Sequence, residues 1–164
     1  MDSIEKFNKL SKVEFISIFG NIFEKTEWIA ERCYESKPYN NLDELVSKMM
    51  KIFENIEKER HLEILNSHPD LAVEKKLTKD SKNEQKNASL NQCNDAEFIE
   101  FKKLNEEYKK KFGFPFIIAV KGKNKEEILN SFRQRIANNI NLEFVEAKKQ
   151  VKKIAIFRLS EIIK

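Results

Sequence analysis

The stretch Asn41–Ile56, NLDELVSKMMKIFENI, decides the fold class. Leu42, Leu45, Val46, Met49, Met50, Phe53 and Ile56 fall at i, i+3, i+4, i+7, i+8, i+11 and i+14. That is one apolar stripe along an amphipathic helix. Asn41 stands at the N-cap, and Asp43 and Glu44 place acidic groups in the first turn, where the helix dipole favours them. The Met49-Met50 pair reads as core filling.

The same pattern recurs on either side. Asn94-Asp95-Ala96-Glu97 is an N-cap with its acidic partner, followed at helical spacing by Phe98, Phe101, Leu104 and Tyr108. Asn124 with Glu127 opens another helix, whose stripe is Ile128, Leu129, Phe132 and Ile136. A long last helix is predicted from about Leu142 to Ile162, carrying Val151, Ile154, Ala155 and Leu159. Val13–Phe23 and Glu27–Glu35 read as two shorter helices split around Thr26. Two segments break the pattern. Ser67–Ser81 is polar and irregular, and Gly113–Lys123 wraps two glycines and a proline around the apolar run Phe116–Val120. One short strand-like run cannot make a sheet, so an extended connection is expected there. The predicted fold is all-α: a compact single-domain helical bundle of about eight to nine helices, with one extended connection near 113–123.

Composition agrees. The 164 residues suit one domain, 1–164, with 40% apolar and 35% charged residues. Three Gly and three Pro exclude collagen, Pro-rich linkers and most all-β folds. A net charge of +4 is far from the basic footprint of a dedicated nucleic-acid binder and is compatible with a small anionic substrate. No run approaches the ~18 apolar residues a membrane helix needs. The first ten residues, MDSIEKFNKL, are charged throughout. Cys33 and Cys93 form no CxxC and, with two histidines, no structural zinc set. These features predict a cytoplasmic protein with no metal, no nucleic acid and no membrane partner.

Four places merit a chemical reading. Of the two histidines, His61 is flanked by charge and reads as a surface helix residue. His68 precedes Pro69, which disfavours the α region at His68 and ends the helix there. A histidine fixed at a helix end is pre-oriented and titrates near neutrality. Asp70 follows as a turn acceptor. Ser81-Lys82-Asn83-Glu84-Gln85 reads as a Ser-x-x-Glu capping box opening a helix to about Leu90, which leaves Gln85 unexplained. Its free N–H groups suit an anion. Arg158 lies four residues after Ile154 and four before Ile162, so it shares their inward face and needs an anionic partner from the protein or a ligand. Lys111-Phe112-Gly113-Phe114-Pro115-Phe116-Ile117 has a superficial likeness to an RNA-binding strand motif. Pro115 would sit mid-strand, and the alternating strands of such a module are missing.

Taken together, these segments resemble the OHCU decarboxylase family, which acts on 2-oxo-4-hydroxy-4-carboxy-5-ureidoimidazoline in the last step from urate to (S)-allantoin. The matching residues are Trp28-Ile29-Ala30; His68-Pro69-Asp70-Leu71-Ala72; Ser81-x-x-Glu84-Gln85-x-x-Ala88-x-Leu90; Lys111-Phe112-Gly113-Phe114-Pro115-Phe116; Arg135-x-x-Asn138; and Ile154-x-x-x-Arg158-Leu159. The resemblance implies an all-α fold, homodimers, a small anionic heterocyclic substrate and no cofactor. It implies His68 as catalytic acid/base, Glu84 as its carboxylate partner and Arg158 as a third polar residue. It implies a substrate pocket lined by Pro69, by Ser81, Lys82, Asn83, Glu84 and Gln85, and by Phe116, Ile117, Ile118, Ala119 and Val120, the last five largely through backbone groups. Val73 and Ser89 stand where the family usually has Gly. A related decarboxylase acting on another heterocyclic acid, or a non-catalytic helical interaction module of the same fold, are the alternative readings.

Overall fold

Side chains cap the helices at the places the sequence marks. Asn41 Oδ1 accepts the Glu44 N–H at 2.8 Å. Asn94 and Glu97 exchange bonds of 2.8 and 3.0 Å, and Asn124 and Glu127 bonds of 2.9 and 3.3 Å. A further reciprocal box joins Ser11 and Glu14. The computed structural model describes residues 3–72 and 77–164. Among them are nine α-helices: α1 Ser3–Lys9, α2 Lys12–Phe19, α3 Glu27–Glu35, α4 Leu42–Glu54, α5 Lys58–Ser67, α6 Lys79–Asn87, α7 Asp95–Phe112, α8 Lys125–Arg135 and α9 Ile140–Ile163. A short 3-10 turn covers Leu90–Gln92, and no strand occurs among the described residues. The all-α expectation therefore holds, and residues 115–120 are neither helix nor strand. Val73 lies outside the described residues.

Two compact units form, one from residues 1–64 and 152–164, the other from Leu65–Val151. In the first unit, α4 buries Leu45, Met49 and Phe53 as its stripe requires. Phe53 stacks on Phe23 with ring centroids 4.8 Å apart, and Phe19 meets Phe15 at 4.6 Å and Phe7 at 5.2 Å. Each such pair contributes about 0.5–1.5 kcal/mol beyond burial. Trp28 lies between two guanidinium groups, Arg32 at 5.0 Å and Arg60 at 4.6 Å from its ring centre. Cys33 is buried and its thiol meets the Tyr39 hydroxyl at 3.0 Å. Burial pushes that thiol up to about 11.

Two expectations are corrected in this unit. The helix predicted over Val13–Phe23 stops at Phe19. Ile22 and Phe23 are buried as expected of core residues, yet they reach the core from a tight loop. Thr26 fastens that loop, its N–H donating to Gly20 O at 2.9 Å and its hydroxyl accepting the Phe23 N–H at 3.3 Å. Glu24 and Lys25 adopt left-handed φ values of 72° and 55°. Periodicity reports burial, and a loop can bury side chains as a helix does. His61 is buried at 6% exposure and not on the surface. Its Nε2 lies 2.7 Å from the Phe53 carbonyl oxygen, and its ring meets Phe53 edge-on. The carbonyl is near the end of α4, where helix carbonyls lack partners, and the imidazole satisfies it.

The second unit is organised around Tyr108, whose ring contacts Phe112, Phe114, Phe116 and Phe132. Phe116 and Phe132 stack at 3.9 Å. Gly113 ends α7 in the left-handed conformation, φ 79°, with its N–H on Lys109 O. That reversal sends Phe114–Val120 into the core, where all seven residues are buried.

Candidate active site

Helix α5 stops at Ser67, one residue before the His-Pro, as the pre-proline restriction requires. His68 is buried at 7% exposure, and its N–H bonds Leu65 O at 3.2 Å. The turn that follows is tied from three directions. Gln85 accepts the Ala72 N–H at 3.1 Å and donates to Asp70 O at 3.2 Å. Asn105 donates to Leu71 O at 3.0 Å. The Lys109 ammonium meets the Asp70 carboxylate at 2.7 Å. Ala72 sits at φ 54°, a conformation an alanine adopts only where surrounding bonds over-determine it. The His68-Pro69-Asp70-Leu71-Ala72 turn is thus fixed by α6 and α7, and the two ends of the Gln85 amide are spent on it.

Ser81 does not cap a helix, contrary to the sequence reading. Helix α6 begins at Lys79, and Thr78 caps it by accepting the Ser81 N–H at 3.2 Å. Ser81 is therefore inside the first turn. Ser81, Glu84, Gln85 and Ala88 follow at i, i+3, i+4 and i+7 on one face; Ser81, Gln85 and Ala88 are buried and Glu84 is half-buried. Lys82 and Asn83 are exposed and point away from that face. Ser89, where the family usually has Gly, takes the left-handed φ of 62° that explains the preference.

Phe116, Ile117, Ile118, Ala119 and Val120 are all buried. Arg135 donates to Ile117 O at 2.6 Å, and Gln150 accepts the Ala119 N–H at 2.9 Å. Arg135 is itself paired with Glu143 at 2.9 Å. Glu143, fully buried, also accepts from the Tyr108 hydroxyl at 2.6 Å and from Asn138 at 3.0 Å. Burial and the bond to Glu143 push the Tyr108 phenol well above its ordinary range. Among the described residues no group of His, Cys, Asp and Glu could hold a metal ion.

Arg158 lies in the other unit, inward-facing and 5% exposed as its stripe predicts. Its partner there is an acid of the protein. One nitrogen meets the Glu24 carboxylate at 2.9 Å, and another donates to Asn21 O at 2.7 Å. Glu24 itself is fully buried.

Sequence reasoning missed Glu24, Asn105, Glu143 and Gln150. One of them carried a signal: a polar residue on an inward stripe. Asn105 falls between Phe101 and Tyr108 on the buried face of α7. Glu143 and Gln150 fall on the face of α9 that holds Ala147, Val151 and Ile154, which the sequence does not single out. Glu24, in a loop of left-handed residues, had none.

Among the described residues, an all-helical fold thus carries a buried histidine fixed at a helix end, an acid-bearing helix fastened to the same turn and a buried irregular apolar segment. The OHCU decarboxylase family model matches residues 8–160, and the chain belongs to that family. It is 36% identical over 159 residues to the 2-oxo-4-hydroxy-4-carboxy-5-ureidoimidazoline decarboxylase of Haloferax volcanii, covering 97% of this chain and 95% of that protein. It is 40% identical over 164 residues to the uric acid degradation bifunctional protein of Bacillus sp. (strain TB-90), of whose length it spans 33%. The crystal structure of (S)-allantoin synthase superposes with a TM-score of 0.80 at 28% identity, covering all of this chain and 54% of that one. A crystal structure of OHCU decarboxylase in the presence of (S)-allantoin shares the fold, with a TM-score of 0.74 over 88% of this chain.

Proposed function

We propose that this chain, acting as one 164-residue domain, decarboxylates 2-oxo-4-hydroxy-4-carboxy-5-ureidoimidazoline to (S)-allantoin. The family match over residues 8–160, together with a His68 turn that α6 and α7 lock in place, carries the reading. The substrate bears a carboxylate and a hydroxyl on one ring carbon beside a C=N bond. When CO2 leaves, the C–C pair forms a ring C=C bond and the C=N π pair moves to nitrogen. No external electron sink is required. The ring nitrogen and the neighbouring carbon then each take a proton, the carbon on one face, and the hydroxyl loses one to become the lactam carbonyl.

His68 is the group that moves these protons, with Glu84 as its carboxylate partner. Pro69, Ser81, Gln85 and the segment 116–120 line the pocket, and the apolar side chains of that segment exclude water from the leaving carboxylate. Lys82 and Asn83, exposed on the opposite face of α6, stand outside this lining. The proposal extends to a homodimer in the cytoplasm, where Cys33 and Cys93, both free thiols, suit the reducing conditions.

The test is to add freshly generated urate-oxidation product to the purified protein and follow circular dichroism. Enzyme-dependent growth of the (S)-allantoin signal is expected. A signal that grows only at the rate of the buffer control would refute the assignment.

A further inference from the structure

We infer that Gln150 and Arg135 are positioning residues that hold the backbone of Phe116–Val120 in its binding geometry. The inference rests on the reading that this segment lines the substrate pocket. Buried peptide groups need partners, and a segment in neither helix nor strand has no ladder to provide them. Here two side chains take that place. The Arg135 guanidinium donates to Ile117 O at 2.6 Å, a charge-assisted bond of the stronger kind. The Gln150 side-chain oxygen accepts the Ala119 N–H at 2.9 Å. The two bonds bracket Ile118.

Each clamp is itself anchored. Gln150 spends its amide nitrogen on Glu146, one turn earlier in α9, at 2.8 Å. Arg135 lies over the Phe116 ring at 4.4 Å and pairs through Nε with Glu143 at 2.9 Å. Glu143 is in turn held by Tyr108 and Asn138. The chemistry of decarboxylation leaves the matched motif Arg135-x-x-Asn138 unused, and the clamp gives it a role. Both residues bond the same buried carboxylate, which orients the arginine toward Ile117. A residue that orients binding groups should act on KM more than on kcat.

The experiment uses the full chain. Gln150→Leu keeps most of the volume and removes the acceptor. The exchanged pair Glu146→Gln/Gln150→Glu restores an acceptor at 150, a donor at 146 and the net charge. Gln150→Leu should raise KM by about 5–10-fold with kcat within about 3-fold, the size of one lost neutral hydrogen bond. The exchanged pair should return KM to within about 2-fold of the original. Arg135→Lys keeps a charge beside Glu143 but loses the fork that reaches Ile117, and should raise KM likewise. A folded Gln150→Leu protein with unaltered KM, or an exchanged pair as impaired as Gln150→Leu, overturns the inference. Amide hydrogen exchange separates this from failure of the functional reading. If the unmodified protein turns over nothing, faster exchange in Gln150→Leu confined to peptides covering 114–121 still sustains the clamp, and unchanged exchange there defeats it.

Discussion

Replacing Arg158 by Met removes a guanidinium from a fully buried carboxylate, and the structure sets the size of the effect. Glu24 has no exposed surface and Arg158 is 5% exposed, so water cannot take over the lost interaction without the unit opening. Breaking a buried ion pair from one side costs about 3–5 kcal/mol. For a chain of 164 residues, each kcal/mol is worth about 2–4 °C in Tm, so Arg158→Met should melt roughly 6–20 °C below the unmodified protein. Adding Glu24→Gln neutralises the carboxylate, and the double variant should recover part of that loss, because a neutral buried pair carries a smaller desolvation cost. The assay is thermal unfolding followed by far-ultraviolet circular dichroism on the two single variants and the double. Arg158→Met melting within about 2 °C of the original, or a double variant whose loss is the sum of the singles, refutes the ion-pair reasoning. Decarboxylation measured well below these midpoints then reports separately on what Arg158 does for the substrate.

His68→Asn keeps a polar side chain before Pro69 and removes the titrating group; turnover should fall at least ~100-fold with the fold retained, and near-original turnover would remove His68 from the mechanism. Tyr108, whose phenol is held above its ordinary pKa of 10.0 by burial and by Glu143, keeps its proton in the folded state where the unfolded chain would lose it. Stability from this residue is therefore complete below about pH 10 and declines above it; Tyr108→Phe should flatten that alkaline decline in denaturant titrations. Lys25 is exposed at φ 55°, so Lys25→Gly should relieve left-handed strain and raise stability by up to about 1 kcal/mol in chemical unfolding, with a loss of stability as the contrary result.

The helices were legible because their caps and stripes are local. Asn41, Asn94 and Asn124 announce their own helices, and the bonds that form lie within three residues. Where two local signals compete, the sequence misleads. Ser81 and Glu84 spell a capping box, yet Thr78 stands three residues earlier and takes the cap. The histidine at the helix end was readable from Pro69 alone. Arg158 was readable from Ile154 and Ile162, but the same argument fails to single out Glu143 and Gln150, because Leu142 and Val145 on the same helix are apolar and exposed, at 52% and 59%. With apolar residues on both faces, the inward stripe of early α9 is hidden until the fold chooses it. Glu24 and Asn21 meet Arg158 across more than 130 residues, and no local pattern encodes such a pairing.

The position of Trp28 turns the lone indole of this chain into a spectroscopic reporter of one unit. Its ring is flanked by Arg32 and Arg60, both in the unit formed by residues 1–64 and 152–164. Its emission responds to the loss of those two guanidiniums and to solvent entry there, while far-ultraviolet ellipticity reports the helices of the whole chain. Two optical signals recorded on one sample therefore compare the melting of this unit with that of the whole chain without a label, and coincident midpoints would mark a single cooperative transition.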